Sequence, residues 1–407
     1  MRNSLITAAV IAVLVHSPTS LAQKAKEAAP KPPSITKVVG KQVKVAQDAI
    51  KGEKWADCVA SLKSTEGLPG QSPYDVFAVN ELLGFCSARA GDAAGAAKSF
   101  EIGLEAGFID PSQLVMRYKQ LLQLHYNLKN YPKAVDYGRR AIAAGNTEEP
   151  VSLLVAQSLY LLNDYKGTVE FVQTWLAGVE QRGETPPDIG LQLYVSACSR
   201  LDDGACTLRA LEKQAAYHPK SETWPNISLL LLRSGTETNT LNVFRLSKEA
   251  GGLRRADDYT EMAQLAIEKG LPGEAQSVVE AGLANGTIAT GPAAELAKRL
   301  LGAAKTQAAA DKPTLLKQDA EAAAKKNGEI DVRIGLAFLS YGDNERAIAA
   351  LQRALEKGNA RNPDETRLNL GIAQLRAGQK DAALASFGAV KGDELQRLAR
   401  LWSLRAR

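Results

Sequence analysis

The chain has 407 residues, of which 45% are hydrophobic and only 6% aromatic, and its formal net charge is +5. This length allows two or three globular domains or one long repeat array. Abundant Ala and Leu together with many Lys, Glu and Arg favour helix. The positive charge is small for this size, so nucleic acid is not expected as the main partner, because that function usually requires a concentrated basic face.

Residues 1–22 have the pattern of a cleavable secretory signal. Arg2 precedes an apolar stretch at residues 5–15, and small residues lead to Ala22. We expect cleavage after Ala22 and export to the periplasm or the medium; an uncleaved N-terminal anchor is the alternative. The apolar stretch is short for a bilayer span and no other segment is comparable, so the mature protein is not expected to span a membrane.

Residues 23–37, QKAKEAAPKPPSITK, are rich in Lys, Ala and Pro. Proline excludes regular helix in this segment, and few of its side chains can be buried. We therefore expect a disordered tether, followed from residue 38 by a helical pattern.

Two stretches near the C-terminus have nearly the same pattern: GLAFLSYGDNERAIAALQRALEKG (335–358) and GIAQLRAGQKDAALASFGAVKG (371–392). In each, a Gly is followed by a second Gly, then by an Ala and a large apolar residue at matching intervals. The first Gly allows another helix to approach closely, and the second ends a helix in a left-handed conformation. The pattern predicts a helix–turn–helix unit.

These units resemble the tetratricopeptide repeat, a helix–turn–helix of about 34 residues. Residues 81–104 match the same register best, and weaker copies occur elsewhere. A wide gap before the last two units implies a further pair of helices at about 293–308 and 313–327. The predicted units begin near residues 77, 115, 149, 188, 221, 256, 328 and 364.

The resemblance implies an all-α fold, a right-handed superhelical solenoid of antiparallel helix pairs. We assign an N-terminal array to residues 38–290, degenerate over 190–247, and a C-terminal array to residues 291–407 that ends in a capping helix. Gly and Pro interrupt the pattern at residues 284–292, which places the boundary.

Four cysteines remain after the signal, and export makes disulfides possible. Four cysteines allow three pairings, which the sequence does not distinguish. Cys198 and Cys206 are the local candidate for a disulfide, and buried free thiols are the alternative. The chain contains no CxxC motif, so neither a redox enzyme nor a zinc site is indicated.

Motifs of catalysis and cofactor binding are not found. The chain has no phosphate-binding loop, no dinucleotide-binding glycine pattern and no nucleophile elbow. His125 falls at a position that the repeat fills with core residues, and His218 lies in a loop before a proline, so neither is a predicted metal ligand. We predict no catalytic residue, no metal and no cofactor.

In tetratricopeptide repeat proteins the first helix of each pair lines a concave groove that commonly holds a peptide or an extended partner segment. Tyr and Arg are favoured at binding surfaces, and amides can pair with an extended backbone. The alternative is that these side chains are ordinary solvated residues. The positions of this sequence that match the groove are Arg89, Lys119, Gln123, Tyr126, Asn127, Gln157, Tyr160, Gln192, Arg200 and Arg233.

The groove positions of the last units are apolar instead. An exposed apolar row is costly unless it is covered. A folded-back capping helix, a partner, or a shift of the register by one residue are the three alternatives. These positions are Val332, Leu336, Leu339, Leu368, Ile372 and Leu375.

The predicted function is a non-enzymatic protein–protein interaction scaffold of the bacterial cell envelope, which binds a partner segment in the groove. The bacterial origin is inferred from the signal and the Ala-rich composition. The alternative is a glycan-binding accessory of cell-wall or polysaccharide metabolism, with Trp55, Trp175 and Trp224 as candidate platforms. A third hypothesis is an enzyme whose site lies in the degenerate segment 188–247.

Overall fold

The computed structural model describes residues 33–220, 222–234 and 239–406. Within these ranges every regular element is an α-helix. The predicted all-α fold of antiparallel helix pairs is therefore confirmed. The predicted signal peptide and residues 23–32 of the predicted tether lie outside the described residues.

The chain divides into two compact units, residues 1–178 and 179–407. The boundary predicted from sequence, near residue 290, lies inside the second unit. The final helix of the first unit runs a few residues past the division. The helices that begin in the first unit are α1 (Lys37–Lys51), α2 (Trp55–Lys63), α3 (Pro73–Arg89), α4 (Ala93–Glu105), α5 (Pro111–Asn127), α6 (Tyr131–Ala143), α7 (Glu149–Leu161) and α8 (Tyr165–Gln181).

The second unit contains further helix pairs and ends in a single helix. Its helices are α9 (Asp188–Arg200), α10 (Gly204–Tyr217), α11 (Thr223–Ser234), α12 (Thr240–Glu249), α13 (Ala256–Glu268), α14 (Pro272–Ala284), α15 (Pro292–Asp311), α16 (Leu315–Ala324), α17 (Gly328–Ser340), α18 (Asn344–Lys357), α19 (Pro363–Arg376), α20 (Lys380–Gly388) and α21 (Asp393–Ala406). Helices α15 and α16 confirm the pair that the gap in the repeat register predicted.

Two first helices begin four residues earlier than predicted, at Pro73 and Pro111. Ser72 caps α3 in a capping box with Asp75, and Asp110 caps α5 by accepting from the Ser112 backbone N–H. Proline at the first helical position has no backbone N–H that would need a partner there. These caps are local signals that the repeat register does not contain.

In three pairs, the two helices meet at a glycine of the first helix. A Cβ on Gly335 would lie 2.6 Å from the Leu351 side chain, and one on Gly371 would lie 2.4 Å from Phe387. In the first unit, a Cβ on Gly84 would lie 2.5 Å from Phe100. Because real Cβ atoms do not tolerate such distances, only glycine allows these helices to pack this closely.

The turn between the helices of a pair has one repeated geometry. A left-handed residue follows the first helix, and in four pairs an aspartate directly after it caps the second helix. Four pairs use glycine for the left-handed residue and four use another residue, which costs about 1–2 kcal/mol for a residue with a Cβ. These residues, with φ between 53° and 84°, are Glu53, Gly91, Lys129, Asn163, Asp202, Gly270, Gly342 and Gly378.

Two disulfides join neighbouring helices. Cys58 of α2 is bonded to Cys86 of α3, with Cα atoms 6.1 Å apart. Cys198 of α9 is bonded to Cys206 of α10, with Cα atoms 5.4 Å apart. Both bonds close short loops, so they hold together helices that already pack against each other.

Helix α12 is buried on every side within the second unit. Seven consecutive residues, Leu241 to Ser247, are all buried. Its Val243 and Leu246 belong to a core with α16 to α21, whereas Leu241 and Phe244 belong to a core with α13 to α15. A helix buried all round is a central element rather than a surface helix. The degenerate segment therefore supplies the centre of the second unit.

We predict that Ala347→Leu destabilises the second unit. Ala347 is fully buried where α18 crosses α17, so a larger side chain overpacks the crossing and costs about 1–3 kcal/mol. The measurement is denaturant unfolding followed by circular dichroism. Ala349→Leu on the exposed side of the same helix is the control and is expected to stay within about 0.5 kcal/mol of the parent protein. Equal effects of the two changes would contradict the helix crossing.

Candidate functional site

Seven of the ten predicted groove residues lie on the first helices of the first unit. Arg89 ends α3, four residues lie on the last half of α5, and two lie on α7. The other three belong to the second unit. There, Gln192 and Arg200 lie on α9 and Arg233 lies near the end of α11.

Helices α5 and α7 repeat one short motif at the same register. Gln123 and Tyr126 of α5 correspond to Gln157 and Tyr160 of α7, with 34 residues between each equivalent pair. The Tyr126 hydroxyl donates to Gln157 Oε1 at 3.1 Å and so connects the two helices. We call these four residues the amide–tyrosine ladder.

Each tyrosine of the ladder packs against a second tyrosine at the start of the following helix. The Tyr126 and Tyr131 rings meet edge to face at 5.9 Å, and the Tyr160 and Tyr165 rings do so at 5.2 Å. Burial, and secondarily Tyr131, raises the pKa of Tyr126, so its hydroxyl stays protonated at neutral pH. Tyr126 and Tyr160 are half-buried, so part of each side chain remains in contact with solvent, which suits binding of an extended chain.

The residues that flank the ladder already have partners within the chain. The Arg89 guanidinium lies 4.8 Å from the centre of the Trp55 ring. Lys119 Nζ lies 2.6 Å from a carboxylate oxygen of Glu148, and Gln123 donates to Asn127 at 3.2 Å. A ligand at these positions would compete with these contacts, whereas the exposed amide of Gln123 makes only one weak bond.

The predicted groove residues of the second unit show a different arrangement. The Gln192 amide donates to Asp188 Oδ2 at 2.7 Å, one turn earlier on the same helix. Arg200 and Arg233 are exposed at the ends of their helices. The motif of the ladder is absent from α9, where Ser196 and Ser199 occupy the equivalent positions.

A buried ion pair, which the sequence analysis missed, lies between α3 and α5. Glu81 and Arg117 form this pair, and the Arg117 guanidinium stacks over the Phe100 ring at 3.9 Å. Burial raises the pKa of Glu81 and lowers that of Arg117, and their mutual attraction opposes both shifts. Glu81 occupies on α3 the register position that Lys119 occupies on α5. The change from a base to an acid at this position is the sequence signal for the ion pair.

His125 packs in the core of the first unit, as predicted. Its Nε2 lies 2.9 Å from Glu101 Oε1, and its ring stacks on Tyr137 at 5.5 Å. Tyr137 and Lys133 also donate to Glu101. Burial lowers the pKa of His125 although Glu101 opposes the shift. His125 is therefore neutral, with Nε2–H donating to the carboxylate.

The apolar groove positions of the last units are covered by the chain itself. Leu339, Leu368 and Ile372 are buried, and the other three are half-buried. Helix α12 supplies part of the cover, and α21 packs against both α12 and α19. The capping helix therefore covers part of this face, as one of the three alternatives expected, and α12 is a second cover that none of them named.

Helix α12 also forms a buried polar network with residues of α14 and α19. Arg245 forms two hydrogen bonds to Glu274, at 2.8 and 2.7 Å, and donates to Asn242 and Asn369. Asn242 donates to Glu365 at 2.9 Å. Burial alone would raise the pKa of Glu274, but the ion pair with Arg245 outweighs it and lowers that pKa. An Arg and an Asn inside an apolar helix are a sequence signal for such a network.

The tryptophans proposed as glycan platforms do not present open rings. Trp175 and Trp224 are buried, and Trp55 is half-buried beneath Arg89 and beside Phe85. In the part of the chain that the structure describes, no group of three potential metal ligands occurs. None of the described helices combines the length and hydrophobicity that a bilayer span requires.

No family model matches the chain, and no curated protein matches it. The chain is similar to solved tetratricopeptide repeat proteins. One is a tetratricopeptide repeat protein from Parabacteroides merdae, at 13% identity and TM-score 0.31, with 66% of this chain and 100% of that one covered. Another is the C-terminal part of a TPR repeat-containing protein from Cytophaga hutchinsonii, at 12% identity and TM-score 0.30, with 77% of this chain and 94% of that one covered.

A third is the complex of the TPR2AB domain of yeast Sti1 with pHSP90, at 13% identity and TM-score 0.25, with 73% of this chain and 100% of that one covered. These scores are low. The tetratricopeptide-like character of the chain rests instead on its own glycine crossings and turn geometry, which follow the predicted register.

We predict that acid weakens the first unit through His125. Its folded-state pKa lies below the unfolded value of about 6.5, so the unfolded chain takes up the proton first as pH falls. Stability is therefore lost from about pH 6.5 down to the folded-state pKa. The measurement is the melting temperature across this window.

His125→Gln keeps an N–H donor for Glu101 and does not titrate, so its melting temperature is expected to vary less with pH over this range. Asn127→Gln, at an exposed position of the same helix, changes no titrating group; it is the control and is expected to retain the parent pH dependence. An unchanged pH dependence in His125→Gln would refute the assignment.

We predict that Arg245→Met destabilises the second unit by about 3–5 kcal/mol, because it leaves the Glu274 carboxylate buried without its partner. The double variant Arg245→Met, Glu274→Met removes both charges and is expected to recover a large part of this loss. Arg254→Met, at an exposed position, is the control. The free energy of unfolding, measured with denaturant, distinguishes these variants. A double variant as unstable as Arg245→Met would contradict the ion pair of Arg245 with Glu274.

Proposed function

We propose that the protein is a non-enzymatic scaffold of the bacterial cell envelope that binds an extended segment of a partner protein across the first helices of its N-terminal unit. The observation on which this rests is the amide–tyrosine ladder of α5 and α7. The envelope location rests on the signal pattern of residues 1–22.

The ladder has the chemistry that an extended chain requires. An extended segment offers a backbone donor or acceptor at each residue, and side-chain amides can satisfy both kinds. The half-buried tyrosines add apolar area with little conformational entropy to lose. Gln123 and Gln157 occupy equivalent positions on successive helices, where the first donates to Asn127 and the second accepts from Tyr126. Because an amide has two donors and two acceptor sites, each retains capacity for a bound segment.

The surroundings of the ladder favour a protein ligand over a sugar. The aromatic groups of the ladder are half-buried tyrosines beside amides, and the tryptophan rings that would stack on a sugar are buried or covered. Leucines at the C-caps of the same helices, Leu128 and Leu162, are exposed at 38% and 40% and extend the apolar border of the ladder. Apolar and amide groups together are typical of peptide-binding surfaces.

The test is capture of partners from a bacterial envelope extract, followed by titration of the purified partner against the protein. The variant Gln123→Ala, Gln157→Ala removes the ladder amides, including the acceptor of the Tyr126 hydroxyl, and leaves the ring contacts of Tyr126 and Tyr160 in place. Loss of two hydrogen bonds of about 0.5–1.5 kcal/mol each is expected to weaken binding by about tenfold.

The matched control is Gln264→Ala, Gln276→Ala, which removes two surface glutamines of the second unit that bond only to a glutamate on their own helix. It is expected to bind as the parent protein does. A partner that loses affinity for the control and not for the ladder variant would move the binding surface out of the first unit.

A further inference from the structure

Two adjoining cavities lie beside α12 in the second unit. The inner one, of about 460 Å³, is lined by residues of α12, α17 and α19. The outer one, of about 640 Å³, is lined by the segments that lead into α17 and α19. They share Glu329, Arg333 and Arg361. Volumes of this size match those of small-molecule sites.

The cavities are lined by an excess of positive charge. The cationic side chains around them are Lys269, Lys325, Lys326, Arg333 and Arg361. None of these five forms an ion pair within the described residues, although many other cations of the second unit do. Such an uncompensated group inside a concavity raises the local concentration of anions.

The two carboxylates of the cavities are bound to neutral donors. Glu365 accepts from the amide of Asn242 at 2.9 Å, and Glu329 accepts from the backbone N–H of Arg361 at 3.0 Å. Arg245, which also lines the inner cavity, is neutralised by the buried Glu274. Five cationic side chains therefore face two carboxylates, and neither carboxylate forms an ion pair with any of the five.

The floor of the inner cavity is rigid and polar. Asn242, Thr366 and Asn369 are each 1–2% exposed, and their side chains are fixed by hydrogen bonds to Glu365, Asn362 and Arg245. Because α12 fills the adjacent groove, a long chain has no continuous path along this face. The remaining space fits a compact ligand that enters through the outer cavity.

From the cavities and their charge we infer that the second unit binds a small polyanion, with two or more phosphate or carboxylate groups, between Arg333 and Arg361. Guanidinium groups hold either oxyanion through paired N–H donors. The lysines at residues 325 and 326 would contact a second anionic group at the mouth of the outer cavity. This site is separate from the ladder of the first unit.

The test is isothermal titration of the full mature chain with pyrophosphate and, separately, with citrate at equal ionic strength. Saturable binding of either probe is expected, and the tighter of the two identifies the phosphate or the carboxylate class. Arg333→Gln, Arg361→Gln is expected to weaken it by about tenfold or more, through loss of charged hydrogen bonds. These side chains are exposed, so circular dichroism should show an unchanged fold.

The control Arg254→Gln, Lys380→Gln removes the same charge at exposed positions outside both cavities and is expected to bind within about twofold of the parent protein. Equal losses in the two variants would overturn the site in favour of general charge attraction. Failure of both probes to bind would also overturn it. A heptaglutamate peptide that binds more tightly than both probes would replace the small ligand by an acidic protein segment.

Discussion

The close packing of the first helix of each pair against the second is the constraint on which this fold depends, and in three pairs a glycine makes it possible. Where Gly84 meets Phe100, Gly335 meets Leu351 and Gly371 meets Phe387, no atom larger than hydrogen fits on the glycine. Each contact fixes the spacing and rotation of one helix pair, because the large side chain can lie only over the glycine. Once that rotation is set, the opposite side of the first helix is directed away from its partner.

Much of this could be predicted from the sequence, because the repeat is encoded locally. The first helices begin at or near the residues that the register indicated, and the hidden pair α15 and α16 follows from spacing alone. Helix α12 could not be predicted in the same way. Its Arg245 and Asn242 bond to residues more than 120 positions later, and no local pattern encodes such contacts. The segment departs from the repeat because its residues satisfy a buried environment instead of a surface helix.

The candidate site shows the same division between local and distant information. The register placed Gln123, Tyr126, Gln157 and Tyr160 on two successive first helices, and the structure connects them through one hydrogen bond. The register did not reveal that Arg89 lies over Trp55 or that Lys119 pairs with Glu148, because each partner belongs to another helix or a loop. A position in a repeat therefore predicts which side of a helix a residue occupies, but not whether it is free to bind.

The two units use the first-helix face in opposite ways, and composition explains the difference. In the first unit this face has amides, tyrosines and charges, which water solvates at little cost, so it can remain open. In the second unit it has Leu339, Leu368 and Ile372, and leaving apolar surface exposed costs about 25 cal/mol per Å². Helix α12 removes that surface from water, and its Arg245 then needs Glu274 and two asparagines to be buried with it. The space that α12 leaves open is lined in part by polar residues at the starts of α17 and α19. The inner cavity beside α12 accordingly has apolar residues of this face in its wall, such as Val332 and Leu336, next to the charged Arg333 and Arg361.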